Sequence, residues 1–220
     1  NEEKFTDARG ITHLIATKRS LHKDTSGHLF LVGVIRDITE RKFMEEALKK
    51  QNAELSHQAF HDTLTGLPNR RMFYQRLNQS LEKASNHNEL VGLLFLDLDG
   101  FKLINDNLGH NVGDLLLKAV ADRLKGCLRG SDTISRLGGD EFTVILPGIP
   151  GKSEAAKVAE KIRDAIVQPF LLEEHTVSVT TSIGISVYPI DAHEPEILLN
   201  NADIAMFRAK QFGKNQYRFS

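Results

Sequence analysis

The stretch TISRLGGDEFTVILPG, residues 133–148, decides the fold, because it contains two strand-like runs joined by paired glycines. This pattern predicts a β-hairpin with its turn at the glycines. Asp140 and Glu141 follow at the tip, where two adjacent carboxylates repel each other. A turn requires the glycines but not the second acid. The acidic pair therefore indicates a site for a cation.

A second acidic pair ends the apolar run VGLLFLDLD, residues 91–99. Such a run predicts a strand in the centre of a sheet, and Asp97 and Asp99, two residues apart, share one of its faces. If this strand neighbours the hairpin, up to four carboxylates converge, and their pKa values rise unless a cation neutralises them. Oxygen ligands favour Mg²⁺ or Mn²⁺ over zinc, and two such ions about 3.5 to 4 Å apart serve in-line attack at phosphorus. Taken alone, either acidic pair is also compatible with a solvated strand end.

The composition limits the partners. The chain has 220 residues, of which 26% are charged, and a net charge of −1, so no overall basic character predicts a nucleic-acid partner. Cys127 is the single cysteine, which excludes an internal disulfide and fits a reducing cytoplasm. The longest apolar run is far shorter than the roughly 20 residues that cross a bilayer, so no membrane segment is predicted within the chain. The first residue is not Met, which is typical of a fragment, and the parent protein could be attached to a membrane outside it.

The chain divides into three parts. Residues 1–38 are rich in β-forming residues but too few to fold alone, as at the end of a larger domain. Residues 39–60 predict a helix with three apolar residues near heptad spacing, Met44, Leu48 and Leu55. A linker helix that signals or dimerises and a plain surface helix both fit this thin stripe. Residues 61–220 mix helices and strands, which predicts an α+β domain with a mostly antiparallel sheet.

Groups that could bind phosphate follow the second acidic pair. The loop DGFKLIND, residues 99–106, offers backbone amides at Gly100 and Phe101 and the ammonium of Lys102. Exposed amides at such a point can hold phosphate oxygens. The chain has no Walker A motif, no G-x-G-x-x-G and no H-E-x-x-H.

Further candidates lie elsewhere in the domain. Lys210 and Lys214 flank a predicted helix end and suit a terminal phosphate, although each also fits a plain surface lysine. Asn105 and Asp114 offer an amide and a carboxylate, the groups that read a guanine edge. Asp114 could instead cap the helix that follows it.

Five motifs in order resemble the GGDEF-domain diguanylate cyclases. They are DTLTGLPNR (62–70), DLDGFKLINDNLGHNVGD (97–114), RLGGDEF (136–142), SIGIS (182–186) and NADIAMFRAK (201–210). The resemblance implies a palm-like α+β fold, similar to nucleotidyl cyclases and polymerase palms, with a central sheet flanked by helices. It also implies condensation of two GTP into cyclic di-GMP with release of two pyrophosphates.

The resemblance assigns roles to the matching acids. Asp97, Asp140 and the Leu98 carbonyl would bind Mg²⁺ or Mn²⁺, two ions per active site. Asp140 would also act as the base for the attacking 3′-hydroxyl. Glu141 would support the second metal or the geometry of the triphosphate.

The resemblance also assigns residues to substrate binding. Asn105 and Asp114 would bind guanine, with Gly100 and Phe101 in the phosphate loop. Lys102 would stabilise the transition state, and Lys210 and Lys214 would bind the phosphates. The family often has Arg where Lys214 stands, and Lys keeps the charge but lacks the bidentate fork.

Two further stretches resemble regulatory elements. RGSD, residues 129–132, matches the R-x-x-D motif at which cyclic di-GMP inhibits this family, so Arg129 and Asp132 would bind the product; an ordinary polar turn is the alternative. GHLFLVGVIRDITERK, residues 27–42, resembles the last strand of a PAS sensor domain and its exit helix.

Because each GGDEF domain would bind one GTP, catalysis implies a homodimer, with the 39–60 helix as its natural lever. A silent GGDEF module that binds GTP or cyclic di-GMP and regulates a neighbouring domain is the alternative. A module that only reports the PAS signal, and a mixed guanine–adenine product, are further alternatives. Asp114 favours guanine, because a carboxylate accepts from guanine N1–H and N2–H.

Overall fold

The structure is a computed structural model. It describes every residue except Asn1 and Asp24 and, for residues 52–57, the helix but not the side chains. The chain divides into two compact units, Asn1–His57 and Gln58–Ser220.

The first unit contains an antiparallel sheet of order β1-β2-β3, followed by the start of helix α1. These elements are β1 (Glu2–Thr6), β2 (Thr12–Lys23), β3 (Leu29–Asp37) and α1 (Thr39–Phe60). Apolar side chains of β3 lie on the surface, and Leu31 and Ile35 are each 69% exposed. Such a small sheet gains little stability from burial by itself. The assignment of residues 1–38 to a PAS-like domain stays a prediction.

Helix α1 covers the predicted linker segment, residues 39–60. Of its three apolar residues near heptad spacing, Met44 and Leu48 are exposed. The Leu55 side chain lies outside the described residues. The role of α1 as a dimerising or signalling helix therefore remains a prediction.

The second unit is an α+β domain. Its helices are α2 (Arg70–His87), α3 (Phe101–Leu108), α4 (His110–Cys127), α5 (Lys152–Ile166) and α6 (Pro195–Gln211). Its strands are β4 (Leu90–Asp99), β5 (Thr133–Gly138), β6 (Glu141–Ile149), β7 (Phe170–Leu172), β8 (His175–Val177), β9 (Thr180–Tyr188) and β10 (Tyr217–Phe219). The central sheet has the order β10-β9-β4-β6-β5 and is antiparallel except between β10 and β9. The predicted fold class, α+β with a mostly antiparallel sheet flanked by helices, is confirmed. Within the described residues, no helix is both long enough and apolar enough to span a membrane.

Strand β4 lies at the centre of the sheet, as its apolar run predicts, and both of its faces are covered. Leu94 and Leu96 pack in the core that includes α4 and α5. Leu93 and Phe95 pack on the other face, against α2 and α6. Since side chains alternate along a strand, Asp97 continues the second series and faces the α2–α6 side.

Helix α6 approaches the sheet closely at Gly184 of β9. A Cβ at this position would lie 1.8 Å from the Ala202 carbonyl oxygen and 2.3 Å from the Met206 nitrogen. Only glycine allows this approach. The contact fixes α6, and with it Lys210 near the end of the helix, against the sheet.

Candidate active site

The two acidic pairs lie at the same end of the central sheet. Because β4 pairs with β6, Asp97 lies opposite Glu141, and opposite residues of an antiparallel pair point to the same face. Asp140 stands just before Glu141, in a two-residue turn with Gly139. Gly138 still pairs with Glu141, so the turn is Gly-Asp, and the prediction of a turn at both glycines is wrong by one residue.

Asp97 is buried, with 7% of its surface exposed. Its Oδ1 lies 2.7 Å from Nζ of Lys210 on α6. Burial raises the pKa of Asp97 to about 6; the charges on Asp140 and Asp99 add to this effect, and Lys210 opposes it. The ionised carboxylate is therefore unfavourable here without more positive charge, which is typical of an acid that binds a cation.

Asp99 is held by the surrounding protein. Its Oδ2 accepts hydrogen bonds from the Thr180 hydroxyl at 2.7 Å and from the Asn215 amide at 3.1 Å. Its Oδ1 accepts one from the Ser182 hydroxyl at 2.7 Å. With both oxygens engaged, Asp99 ties β4 to β9 and to the turn after α6. It adds negative charge to the acidic end, but its oxygens already have partners.

Glu141 has neighbours that its sequence position did not indicate. Burial raises its pKa, and the charges on Asp203 and Asp140 add to the rise, while Arg70 opposes it. Arg70 Nη2 lies 4.0 Å from Glu141 Oε2. Arg70 and Asp203 fall inside the quoted motifs DTLTGLPNR and NADIAMFRAK. These motifs were the sequence feature from which both residues could have been identified as neighbours of the site.

The loop after β4 forms the N-terminus of α3. Gly100 is the N-cap, with φ of 81° and no side chain to cap the helix. Phe101 is buried beneath this end, and Lys102 is exposed. The first amides of a helix lack partners within the helix, so this end can accept phosphate oxygens, as the sequence predicts.

Asn105 presents a buried polar atom without a partner. Its Oδ1 is buried and makes no hydrogen bond to any described residue. It lies against Gly113 of α4, where a Cβ would approach to 1.8 Å. Asp114 follows on the exposed side of α4. Helix α4 begins at His110, so Asp114 stands in the body of the helix, and its alternative role as a helix cap is wrong.

The two candidate phosphate lysines differ in position. Lys210 contacts Asp97, as described above. Lys214 is exposed in the turn after α6, with φ of 63°. The next residue, Asn215, donates its amide to Asp99, which brings this turn to the acidic end of the sheet.

Arg129 and Asp132 lie at the other end of the sheet. Arg129 Nε donates to Asp132 Oδ1 at 2.9 Å, and its Nη2 donates to the Pro147 carbonyl at 3.0 Å. Pro147 pairs with Val91 on β4, six residues before Asp97, which corresponds to about 20 Å along the strand. A cavity of about 290 Å³ adjoins the pair and is lined also by Lys157 and Lys161. The structure thus separates this pair from the acidic end.

Comparisons with known proteins agree with the motifs. Residues 59–216 match the family model described as "Diguanylate cyclase, GGDEF domain". The chain is 43% identical over 184 residues to diguanylate cyclase TpbB of Pseudomonas aeruginosa UCBPP-PA14, covering 83% of this chain and 42% of TpbB. It is 44% identical over 173 residues to the bifunctional diguanylate cyclase/cyclic di-GMP phosphodiesterase MucR of P. aeruginosa PAO1, covering 79% of this chain and 25% of MucR. The chain therefore spans less than half the length of these relatives.

Solved structures share the fold. The crystal structure of the GGDEF domain of TpbB from P. aeruginosa has a TM-score of 0.70 and 43% identity, covering 71% of this chain and 98% of that one. The GGDEF domain of DgcB from Caulobacter crescentus, solved in complex with c-di-GMP, has a TM-score of 0.67 and 28% identity, covering 73% and 95%.

Proposed function

Since this chain belongs to the GGDEF family of diguanylate cyclases, we propose that it condenses two GTP into cyclic di-GMP and two pyrophosphates. The buried Asp97, with a pKa of about 6 beside Asp140 and Lys210, carries this proposal. We assign the cyclase to residues 61–220, the linker helix to 39–60 and a PAS-like fragment to 1–38, and we place the reaction in the cytoplasm.

The donor atoms fit a divalent metal ion. The carboxylates of Asp97 and Asp140 and the Leu98 carbonyl are oxygen donors, which Mg²⁺ and Mn²⁺ prefer. Within the part of the chain that the structure describes, no three His, Cys, Asp or Glu side chains form a metal-binding group, so the triphosphate would complete the ligand set. Two ions per site would supply charge neutralisation of the triphosphate and activation of the attacking hydroxyl.

The substrate contacts follow from the described groups. The unpartnered Asn105 Oδ1 accepts a guanine N–H, and the exposed Asp114 accepts from guanine N1–H and N2–H. The backbone amides at Gly100 and Phe101 hold phosphate oxygens at the start of α3. Asp114 makes guanine a better fit than adenine, which offers no comparable pair of donors.

The chemistry is an in-line transfer at phosphorus. The 3′-hydroxyl oxygen of one GTP attacks the α-phosphorus of the other, a P–O bond forms, and the bond to pyrophosphate breaks. The hydroxyl proton passes to Asp140, while Glu141 holds the triphosphate side of the site. Lys102 stabilises the developing charge, and Lys210 and Lys214 bind phosphates. The same step with the roles of the two nucleotides exchanged closes the ring.

One domain binds one GTP, so the reaction requires two domains face to face. We therefore propose a homodimer as the active species, with α1 as the element that brings the domains together. The Arg129–Asp132 pair, about 20 Å from Asp97 along β4, is the proposed inhibitory site for cyclic di-GMP. Arg129 suits a guanine or phosphate edge through bidentate hydrogen bonds.

The test is to incubate the chain with GTP and Mg²⁺ and to separate the nucleotides by HPLC and mass spectrometry. We expect cyclic di-GMP only with metal and not with EDTA, at a rate that rises more steeply than linearly with enzyme concentration. Asp140→Asn should abolish turnover and leave the circular dichroism spectrum unchanged. Asp164→Asn, at an exposed position of α5, is the matched control and should remain active.

Three results would count against the proposal. Substantial turnover by Asp140→Asn would remove the role assigned to this acid. Tight binding of GTP or cyclic di-GMP without any product, across the whole range of enzyme concentrations, would favour the regulatory module instead. Turnover with first-order dependence on an obligate monomer would refute the paired site.

A further inference from the structure

Arg136, the first residue of the RLGGDEF motif, holds the turn that carries Asp140. Its Nε and Nη2 donate to the Gly139 carbonyl oxygen at 2.9 and 2.7 Å. This carbonyl belongs to the peptide unit that joins Gly139 to Asp140. Two hydrogen bonds from a planar guanidinium fix the rotation of that peptide unit. The two glycines of the motif have no side chains that could restrict it. The Arg136 side chain is 10% exposed, whereas Gly139 lies at the surface.

Asp62 fixes the other side of the same guanidinium. Arg136 Nη1 lies 2.9 Å from Asp62 Oδ1 and 3.0 Å from Oδ2. Asp62 Oδ1 also accepts from the Thr65 amide at 2.9 Å and the Thr65 hydroxyl at 2.6 Å. Burial opposes the charge of Asp62, but the hydrogen bonds from Thr65 and Arg136 outweigh it and hold its pKa below the usual range. Asp62 therefore carries its negative charge at neutral pH.

The segment that carries Asp62 continues directly from the end of α1. The Asn69 amide donates to the Phe60 carbonyl at 2.9 Å, and the Arg136 amide donates to the Pro68 carbonyl at 2.9 Å. A continuous set of hydrogen bonds thus connects the last residue of α1, through the segment 61–69, to strand β5 and the turn after it.

We propose that Asp62 and Arg136 form a clamp that positions Asp140 for catalysis and couples the end of α1 to it; this rests on the cyclase function proposed above. Asp62 and Arg136 are positioning residues, because they act on the reacting groups through Gly139. When the clamp is intact, Asp140 stands where the 3′-hydroxyl proton is released. When it is broken, the Gly139–Asp140 peptide can rotate while the rest of the domain stays folded.

The variants Asp62→Asn and Arg136→Ala test the clamp, with Asp191→Asn as the matched control. Asp191 is likewise an inward-facing aspartate: it lies 2.8 Å from Lys152 Nζ and accepts the Val187 amide at 2.8 Å. Val187 pairs with Gly92, at the end of β4 far from Asp97. All three variants lose an ion pair of the second unit, but only two of them touch the clamp.

For the clamp variants we expect kcat to fall about tenfold or more, with the KM for GTP within about twofold of wild type, because a small misplacement of a reacting group costs rate rather than binding. Asp191→Asn should keep its kcat despite a similar loss of melting temperature. Arg136→Lys, which keeps the charge but not the planar fork, should recover the melting temperature without full kcat. The double variant Asp62→Asn/Arg136→Ala should have a kcat no lower than that of the slower single variant, because both substitutions break the same clamp.

A second readout does not need turnover. The affinity for Mn²⁺, measured by electron paramagnetic resonance with a GTP analogue that has a methylene between the α- and β-phosphorus atoms, should weaken in the clamp variants and stay unchanged in Asp191→Asn. Equal kcat and equal Mn²⁺ affinity in Asp62→Asn and Asp191→Asn would refute the clamp. Full kcat in Arg136→Lys would also refute it. An inactive wild type refutes the proposed function instead, and the Mn²⁺ comparison then decides on the clamp alone.

Discussion

Replacing Asp97 by Asn should stabilise the metal-free protein, although it removes the most buried acid of the proposed site. The pKa of Asp97 is raised from its ordinary 3.8 to about 6. At about 1.36 kcal/mol for each pKa unit, the ionised carboxylate lowers the free energy of unfolding by about 3 kcal/mol at pH 8. This value already contains the attraction to Lys210. Asn has nearly the same shape without the charge, so the variant escapes the penalty.

The sign of the pH dependence follows from the raised pKa. Between about pH 4 and 6 the folded protein binds more protons than the unfolded chain, so the wild type loses stability as the pH rises through this window. The advantage of Asp97→Asn should therefore be near zero below pH 4 and largest above pH 6.

The assay is urea unfolding in EDTA from pH 4 to 8, followed by circular dichroism. Asp99→Asn is the control at the neighbouring acid. Asp99 accepts three hydrogen bonds, so this variant should be less stable than wild type. Adding Mg²⁺ should stabilise the wild type more than Asp97→Asn. A variant that is less stable than wild type at pH 8, or an advantage that does not change with pH, would refute the reasoning.

Three other substitutions have expected outcomes. Gly113→Ala should displace Asn105, because the Asn105 Oδ1 would lie 1.8 Å from the new Cβ. The loss of one hydrogen bond from Asn105 to GTP should raise the KM for GTP roughly tenfold, as measured by steady-state kinetics. Arg129→Ala should keep the initial rate but raise the inhibition constant for cyclic di-GMP about tenfold or more, and an unchanged constant would exclude this site. Gly184→Ala should lower the free energy of unfolding by about 3 kcal/mol, because its Cβ meets the Ala202 backbone; urea titration would show whether the helix can move away.

The sequence was sufficient for the local elements of the fold but not for their arrangement. The apolar run of β4 and the hairpin of β5 and β6 follow from patterns within a few residues. The turn was misplaced because Gly138, with φ of 152°, stays in the strand ladder, and two adjacent glycines do not reveal which one leaves it. That β9 lies beside β4, and that β10 joins it in parallel, depends on pairing between distant segments, which no local pattern encodes.

The same limit applies to the site. Asp97 and Asp140 were predicted because acids in strand ends and turns are conspicuous. Asp99 looked equivalent to Asp97, since both share one face, but hydroxyls of β9 hold its oxygens. The sequence also allowed Asp114 to be a helix cap, because Asp is common at helix N-caps. In the structure, α4 already begins at His110. The role of Arg136 could not be predicted from the sequence, because it depends on how the segment 61–69 packs against β5.

The central position of β4 has a consequence for how the protein comes apart. Asp97 stands on a strand with a hydrogen-bonded neighbour on each side, so the amides around it are shielded by β6 and β9 and should exchange with deuterium only when the whole domain opens. The edge strands β5 and β10 can fray without moving that carboxylate. Deuterium uptake should thus begin at the rim of the sheet and reach the middle last, so that Asp97 keeps its place through partial opening of the fold.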